Sequence, residues 1–307
     1  MRVLLAEPRG FCAGVERAIA IVEKALEKFG PPIHVRHEIV HNRWVVEDLR
    51  RKGAIFVPEL DAVPDGATVI FSAHGVSKEV QSEADRRPLR VLDATCPLVS
   101  RVHREAEKLD RKGSRVILIG HKGHPEVEGT MGQLPPGRME VISKVEELGE
   151  LSEKPDSPAA YITQTTLSRD ETADVIDALK ERFPDIREPA REDICYATQN
   201  RQNAVKALSK ECDLILVLGA PNSSNSNRLR EVAERAGTTA HLIESAVDIQ
   251  PEWLEGVDCL GVTAGASAPE ILVEELLETL KVRDEDVSLL SVSQEGMVFP
   301  LPKSLQD

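Results

Sequence analysis

The chain has 307 residues, of which 41% are hydrophobic, 29% charged and only 3% aromatic, and its formal net charge is −14. That length gives ample core for one large domain or two to three small ones. So few aromatics leave no base-stacking platform, and so negative a chain repels a phosphate backbone or an anionic membrane surface, which argues against nucleic acid and membrane as partners. No apolar run reaches membrane-spanning length. The N-terminus enters a strand with no basic-then-apolar leader, so a cytoplasmic protein is expected. Five cysteines without a Cys-x-x-Cys argue against a disulfide framework, a zinc ribbon or a thioredoxin motif.

In chain order, the apolar run Val3-Leu4-Leu5-Ala6 predicts a buried strand. A helix follows, with Val15, Ala18, Ile19, Val22, Ala25, Leu26 and Phe29 at helical spacing and Gly30-Pro31-Pro32 as its stop. Between the two, Arg9-Gly10-Phe11-Cys12-Ala13-Gly14 places Cys12 on a glycine-flanked turn at a helix start, where backbone amides and the helix dipole favour a thiolate. Further strand-like runs span 33–39, 68–72, 115–120, 161–164, 214–219 and 259–264, with helical patterns such as Leu98, Val102, Ala106, Leu109 between them. This alternation predicts α/β architecture with small, mostly parallel sheets and functional groups in the loops beyond the strands' C-terminal ends.

Those loops follow one order three times. Cys12 precedes His41 by 29 residues and His74 by 62; Cys96 precedes His124 by 28 and Thr165 by 69; Cys195 precedes Ser223 by 28 and Ser267 by 72. The pattern predicts a threefold internal repeat: lobe 1 over 1–95, lobe 2 over 96–194, lobe 3 over 195–281, and a tail over 282–307 that packs on another lobe. Ser152 to Pro158 reads as a surface loop.

If the lobes meet about a pseudo-threefold axis, three thiolates converge. An iron–sulfur cluster usually takes four cysteines, so three leave one iron without a protein ligand, as in open catalytic metal sites. Zinc is the competing metal. Cys212 and Cys259, at the starts of apolar strands, suit ordinary core positions instead. His41, His74, His124, Ser223, Ser224, Asn225 and Ser267 form a mostly neutral hydrogen-bonding set of the kind that binds phosphate oxygens with backbone amides. Glu126, two residues past His124, is the natural proton donor, with Thr165 or Thr166 as relay.

Several ordered motifs then resemble one family. They are Gly10-Phe11-Cys12-Ala13-Gly14-Val15, His37-Glu38-Ile39-Val40-His41-Asn42, Ser72-Ala73-His74-Gly75, Ala94-Thr95-Cys96-Pro97, Gly120-His121-Lys122-Gly123-His124-Pro125-Glu126, Gln164-Thr165-Thr166, Asn222-Ser223-Ser224-Asn225-Ser226 and Ala264-Gly265-Ala266-Ser267-Ala268-Pro269. Together they resemble the 4-hydroxy-3-methylbut-2-enyl diphosphate reductases of the methylerythritol phosphate route to isoprenoids. The resemblance implies three α/β lobes around a [4Fe-4S] cluster held by Cys12, Cys96 and Cys195, with one iron lacking a protein ligand. It implies reductive loss of an allylic hydroxyl to give isopentenyl and dimethylallyl diphosphates. It also implies diphosphate binding by His41, His74, His124, Thr165, Ser223, Ser224, Asn225 and Ser267, and catalysis by Glu126, His124 and Thr165 or Thr166. Ala220-Pro221 is less polar than the family pattern at the entry to its loop.

A ferredoxin or flavodoxin is the electron donor that the resemblance implies. Such carriers are acidic, so Arg36, Arg43, Arg50, Arg51 and Lys52 form a candidate docking patch on this acidic chain. Two other readings compete: a non-catalytic iron–sulfur redox sensor that binds a diphosphate metabolite, and a zinc hydrolase of phosphate esters.

Overall fold

The computed structural model describes residues 1–151 and 158–306. The expected loop at Ser152 to Pro158 lies almost wholly outside the described residues. Among those described, twelve strands form three sheets, and every pairing between strands is parallel.

The chain divides into two compact units. One comprises Met1–Glu16, Val40–Asp48 and Tyr196–Val298; the other comprises Arg17–Ile39, Leu49–Cys195 and Phe299–Asp307. The first contains a five-stranded sheet of β1 (Arg2–Glu7), β9 (Leu214–Leu218), β10 (Thr239–Ile243), β11 (Cys259–Ala264) and β12 (Val287–Ser291), ordered β10-β9-β11-β1-β12. The second contains β2 (Ile33–Arg36), β3 (Ala54–Val57), β4 (Thr68–Phe71) and β5 (Arg90–Asp93), ordered β3-β2-β4-β5. It also contains β6 (Arg115–Ile119), β7 (Met139–Ile142) and β8 (Ala159–Thr163), ordered β7-β6-β8, with a parallel bridge from Ala160 to Arg187 beside β8.

The three orders repeat one plan, in which a strand is flanked by the next two strands of the chain. β5 lies beside β4, and the single bridge at Arg187 lies in the matching place beside β8. In the first unit that place beside β11 is taken by β1, the first strand of the chain. The compact units therefore depart from boundaries drawn in chain order at 95, 194 and 281. The tail is divided as well: β12 extends the first unit's sheet beyond β1, whereas 299–307 belong with the second unit.

Burial explains why β1 reads as an unbroken apolar run. Val3 and Leu5 enter one aliphatic cluster with Leu214, Leu216 and Val262, while Leu4 and Ala6 enter another with Ile215, Val217 and Val205. Parallel sheets need both faces covered, and both faces of this strand are. Helices supply the cover: α1 (Ala13–Phe29), α2 (Arg43–Lys52), α3 (Lys78–Arg86), α4 (Pro97–Arg111), α5 (Pro125–Met131), α6 (Arg169–Arg182), α7 (Tyr196–Leu208), α8 (Ser224–Arg235) and α9 (Ile271–Thr279). Among the described residues, no helix is long and apolar enough to cross a membrane.

Candidate active site

The loops beyond the strand ends share one geometry. His41, His124 and Ser223 each stand five residues past the last residue of a strand, namely Arg36, Ile119 and Leu218. His74, Thr166 and Ser267 each stand three past Phe71, Thr163 and Ala264. Two residues past those same ends, a backbone carbonyl accepts the N–H of a cysteine: Ala73 from Cys96 at 3.0 Å, Thr165 from Cys195 at 3.0 Å, and Ala266 from Cys12 at 3.2 Å. The residue two before each cysteine is bonded to the strand end itself. Gly10 N–H donates to Ala264 O and Ala94 N–H to Phe71 O, each at 3.0 Å, and in the third case the Asp193 carboxylate accepts from Thr163 N–H at 3.0 Å. The threefold spacing in the sequence thus corresponds to a threefold pattern of hydrogen bonds that fixes each cysteine backbone.

No disulfide joins the five cysteines; Cys12, Cys96 and Cys195 are half-buried, whereas Cys212 and Cys259 are buried. Each of the first three immediately precedes a helix (α1, α4 or α7), where the dipole favours a thiolate. Three half-buried thiols at helix starts are the donor chemistry that an iron–sulfur cluster takes. Among the described residues, no three His, Cys, Asp or Glu side chains already stand as an assembled metal-binding group. The sulfurs of Cys212 and Cys259 lie 3.6 Å apart in the core, and burial pushes the Cys212 thiol up, so this pair packs as small hydrophobes.

Within the first unit, the structure brings His41, Asn222, Ser223, Asn225 and Ser267 together. Asn222 Nδ2 donates to His41 Nδ1 at 3.3 Å, which leaves the ring proton on Nε2. Ser267 Oγ donates to the His41 carbonyl at 2.8 Å. Ser223 caps α8, its oxygen accepting from Ser226 N–H at 3.3 Å and from Ser226 Oγ at 3.0 Å, so its own hydroxyl proton stays available. Ser224, half-buried, opens the helix. Asn225 is buried; its Oδ1 accepts from Ala266 N–H at 2.9 Å and its Nδ2 donates to Thr198 Oγ1 at 3.3 Å. A polar helix start with buried, fixed side chains is a ready site for anionic oxygens.

Within the second unit, His74, His124, Glu126, Thr165 and Cys195 form a connected set. The rings of His74 and His124 meet edge to face with centroids 5.8 Å apart, and Ser72 Oγ lies 3.3 Å from His74 Nδ1. His124 caps α5 by accepting Glu126 N–H on Nδ1 at 3.1 Å, which leaves its proton on Nε2. Glu126 is buried, and its Oε1 accepts Thr165 N–H at 2.7 Å. Gln164 Nε2 donates to Thr166 Oγ1 at 3.1 Å, and Gln164 Oε1 accepts His121 N–H at the same distance. Asp193, buried nearby, is pushed up to about 6 by desolvation, against the opposing effect of its bond from Thr163 N–H.

The turn that carries His74 is packed from both sides. Gly75 has φ +82°, and a Cβ there would meet the His103 ring of α4 at 2.7 Å. On α5, a Cβ at Gly129 would meet the Gly75 carbonyl at 3.1 Å. Buried Gln133 bridges the two elements, donating to Val76 O at 2.8 Å and to Gly129 O at 2.7 Å. Sequence reasoning missed Gln133, His103, Asp193 and Thr198, because their roles depend on contacts between elements. It also missed Arg201, for which a signal existed. The residue interrupts the apolar stripe Ala197, Ala204, Val205, Leu208 of α7 with a charge.

Arg36, at the end of β2, is paired with Glu59 at 2.8 Å; Arg43, Arg50, Arg51 and Lys52 lie on α2, and Lys52 is paired with Glu23 at 2.7 Å.

Residues 3–281 match the LytB protein family. The 4-hydroxy-3-methylbut-2-enyl diphosphate reductase of Magnetococcus marinus is 68% identical over 307 residues, covering 100% of both chains. The enzyme of the same description from Neisseria meningitidis serogroup C is 57% identical, covering 99% of this chain and 95% of its own. The solved structure of the Plasmodium falciparum E-1-hydroxy-2-methyl-but-2-enyl-4-diphosphate reductase aligns with a TM-score of 0.95 at 36% identity, over 99% of this chain and 96% of the other. A second solved structure, described as (E)-4-hydroxy-3-methyl-but-2-enyl diphosphate reductase, the terminal enzyme of the non-mevalonate pathway, aligns with a TM-score of 0.66 at 33% identity, over 92% of this chain and 99% of the other. With its repeated sheets, its three helix-start cysteines and these likenesses, the chain belongs to the LytB family of 4-hydroxy-3-methylbut-2-enyl diphosphate reductases.

Proposed function

We propose that this chain is the oxidoreductase that removes the allylic hydroxyl of (E)-4-hydroxy-3-methylbut-2-enyl diphosphate. Two electrons and two protons convert the substrate to water and isopentenyl or dimethylallyl diphosphate, the last step of the non-mevalonate route. Family membership supports this over a sensor that only binds a diphosphate.

We assign Cys12, Cys96 and Cys195 as ligands of a [4Fe-4S] cluster in which one iron has no protein ligand. Such a cluster, when bound, supplies electrons and an open Lewis-acid position. The chain's own residues bind, orient and move protons. In the first unit, His41, Ser223, Ser224, Asn225 and Ser267 take diphosphate oxygens, with the start of α8 adding amides and dipole. In the second, His74 and His124 take the same role through ring N–H donors. Glu126 gives the proton that lets the hydroxyl leave as water, and Thr165 holds that carboxyl and relays; Thr166, tied to Gln164, is the alternative relay.

The observation that carries this reading is the single bond from Thr165 N–H to Glu126 Oε1, because it fixes a buried carboxyl beside two histidines on the loop that also holds Cys195. The electron donor is an acidic one-electron carrier, a ferredoxin or flavodoxin, and the enzyme works in the cytoplasm. The test is anaerobic incubation of purified protein with substrate and a reduced viologen dye. Two dye equivalents oxidised per diphosphate, with both products formed, is the expected result; bound but unchanged substrate contradicts it.

A further inference from the structure

Arg201 heads the large side chains that are fully buried, with 0% exposure in a core otherwise built from Ile and Leu. A guanidinium there is tolerated only if every N–H is bonded and its charge is compensated. Both conditions hold. Nε and Nη2 donate to Gly10 O at 3.0 and 2.8 Å, Nη2 reaches Phe11 O at 3.2 Å, and Nη1 donates to Ala197 O at 3.0 Å. Glu295 supplies the charge, taking Nη1 at 3.0 Å and Nη2 at 3.3 Å, and is itself held by Asn200 Nδ2 at 2.9 Å.

Two of the three carbonyls that Arg201 grips are the last two before Cys12. Gly10 sits at φ +65°, where a Cβ would press on Ala268 O at 3.2 Å, so the turn admits no bulkier residue and little slack. Its N–H is bonded to Ala264 O, and the Cys12 N–H to Ala266 O. Arg201 holds the carbonyl side of this turn while the β11 loop holds the amide side. Cys96 has a lesser counterpart: Arg17 Nη1 donates to the carbonyl of Thr95, just before it, at 3.1 Å, but Arg17 is only half-buried whereas Arg201 is fully buried.

We propose that Arg201 and Glu295 form a charge-balanced clamp that positions the Cys12 ligand turn and sets the local field at that corner of the cluster. This rests on Cys12 being a cluster ligand. It also gives the segment beyond β12 a purpose: Glu295 is delivered from the tail to neutralise a buried cation next to the ligand turn. Hydrogen-bonding groups and charges one step behind a ligand tune both affinity and potential.

The charge balance gives opposite signs for the two halves of the clamp. Arg201→Met leaves Glu295 uncompensated, which disfavours added electrons and shifts the cluster's midpoint potential negative. Glu295→Gln leaves the guanidinium uncompensated, yet still bonded to Gly10 and Phe11, and shifts it positive. The double variant removes both charges, so its potential returns toward that of the unaltered protein, although its turn stays loose. Iron release to a chelator should be about tenfold faster in Arg201→Met and in the double variant, and nearly unchanged in Glu295→Gln.

The experiment is an anaerobic redox titration of all four proteins, followed by electron paramagnetic resonance, with iron release measured in parallel. Opposite shifts and the return in the double variant are expected. Shifts of one sign, or none, in variants that load their cluster overturn the clamp and leave Cys12 as ligand untouched. Should Arg201→Met fail to fold, Arg201→Lys, which keeps the charge and loses the fork, must still release iron faster than Glu295→Gln. An unaltered protein without iron overturns the ligand assignment, and the clamp with it.

Discussion

Thr165 is bonded on both of its backbone groups to residues of the candidate site: its N–H donates to Glu126 Oε1 at 2.7 Å, and its carbonyl accepts the Cys195 N–H at 3.0 Å. One residue therefore sets the proposed acid relative to a proposed ligand cysteine. Rotation of Thr165 would disturb both, so its backbone matters as much as its hydroxyl.

Glu126→Gln keeps an acceptor oxygen for Thr165 N–H and removes only the transferable proton. Turnover should fall by about 10²–10⁴-fold, the usual worth of a positioned general acid. Substrate affinity should change little. Steady-state rates together with a calorimetric titration check this, and wild-type turnover in the variant would remove Glu126 from the acid role.

Asn225→Ala deletes the bonds to Ala266 N–H and Thr198 Oγ1 at once. Leaving a buried donor unmade costs about 1–3 kcal/mol, so substrate affinity should weaken roughly five- to hundredfold. The same loop carries the carbonyl that holds Cys12, so iron content must be measured alongside binding to separate the two effects.

Burial lowers the His103 imidazole to about 4, against opposing attraction from Asp93 and Glu107. The unfolded chain takes up this proton near pH 6.5, while the folded chain resists it until about 4. Between those values the unfolded state binds more protons, so stability from this residue is complete above 6.5 and lost as pH falls toward 4. The loss is at most about 3 kcal/mol. Denaturant melts between pH 4 and 6.5 should show this slope, and His103→Leu should flatten it.

Arg50 and Arg51 are exposed on the last turn of α2. Reversing both to Glu should slow reduction by an acidic protein carrier about 10-fold or more at low salt, since steering of this kind fades with ionic strength. Reduction by a small viologen dye should be unaffected. Equal slowing with both donors would place the defect elsewhere.

Much of this was legible in the sequence, for a physical reason. β2, β4, β6, β8, β9 and β11 lie inside their sheets or are fully buried on most positions, so they read as apolar runs. β3, β7 and β10 are edge strands; Glu140 in β7 and Thr239 and His241 in β10 break the apolar pattern, whereas β3 is apolar throughout but only four residues long. The cysteines and polar loops stood out because their hydrogen bonds repeat at fixed distances from strand ends. What spacing does not encode is which sheet a strand joins. Val3 to Ala6 announces a strand buried on both faces, yet only tertiary packing puts it beside β11. The Arg201–Glu295 pair, 94 residues apart, is hidden for the same reason.

The most direct test of the account is electron paramagnetic resonance on the dithionite-reduced, anaerobically purified protein, with and without (E)-4-hydroxy-3-methylbut-2-enyl diphosphate. The account predicts a cluster signal that changes when the diphosphate is added, because a cluster held by only three cysteines would keep one iron open to it. A cluster signal indifferent to the diphosphate, or protein that carries zinc and no cluster, would contradict it.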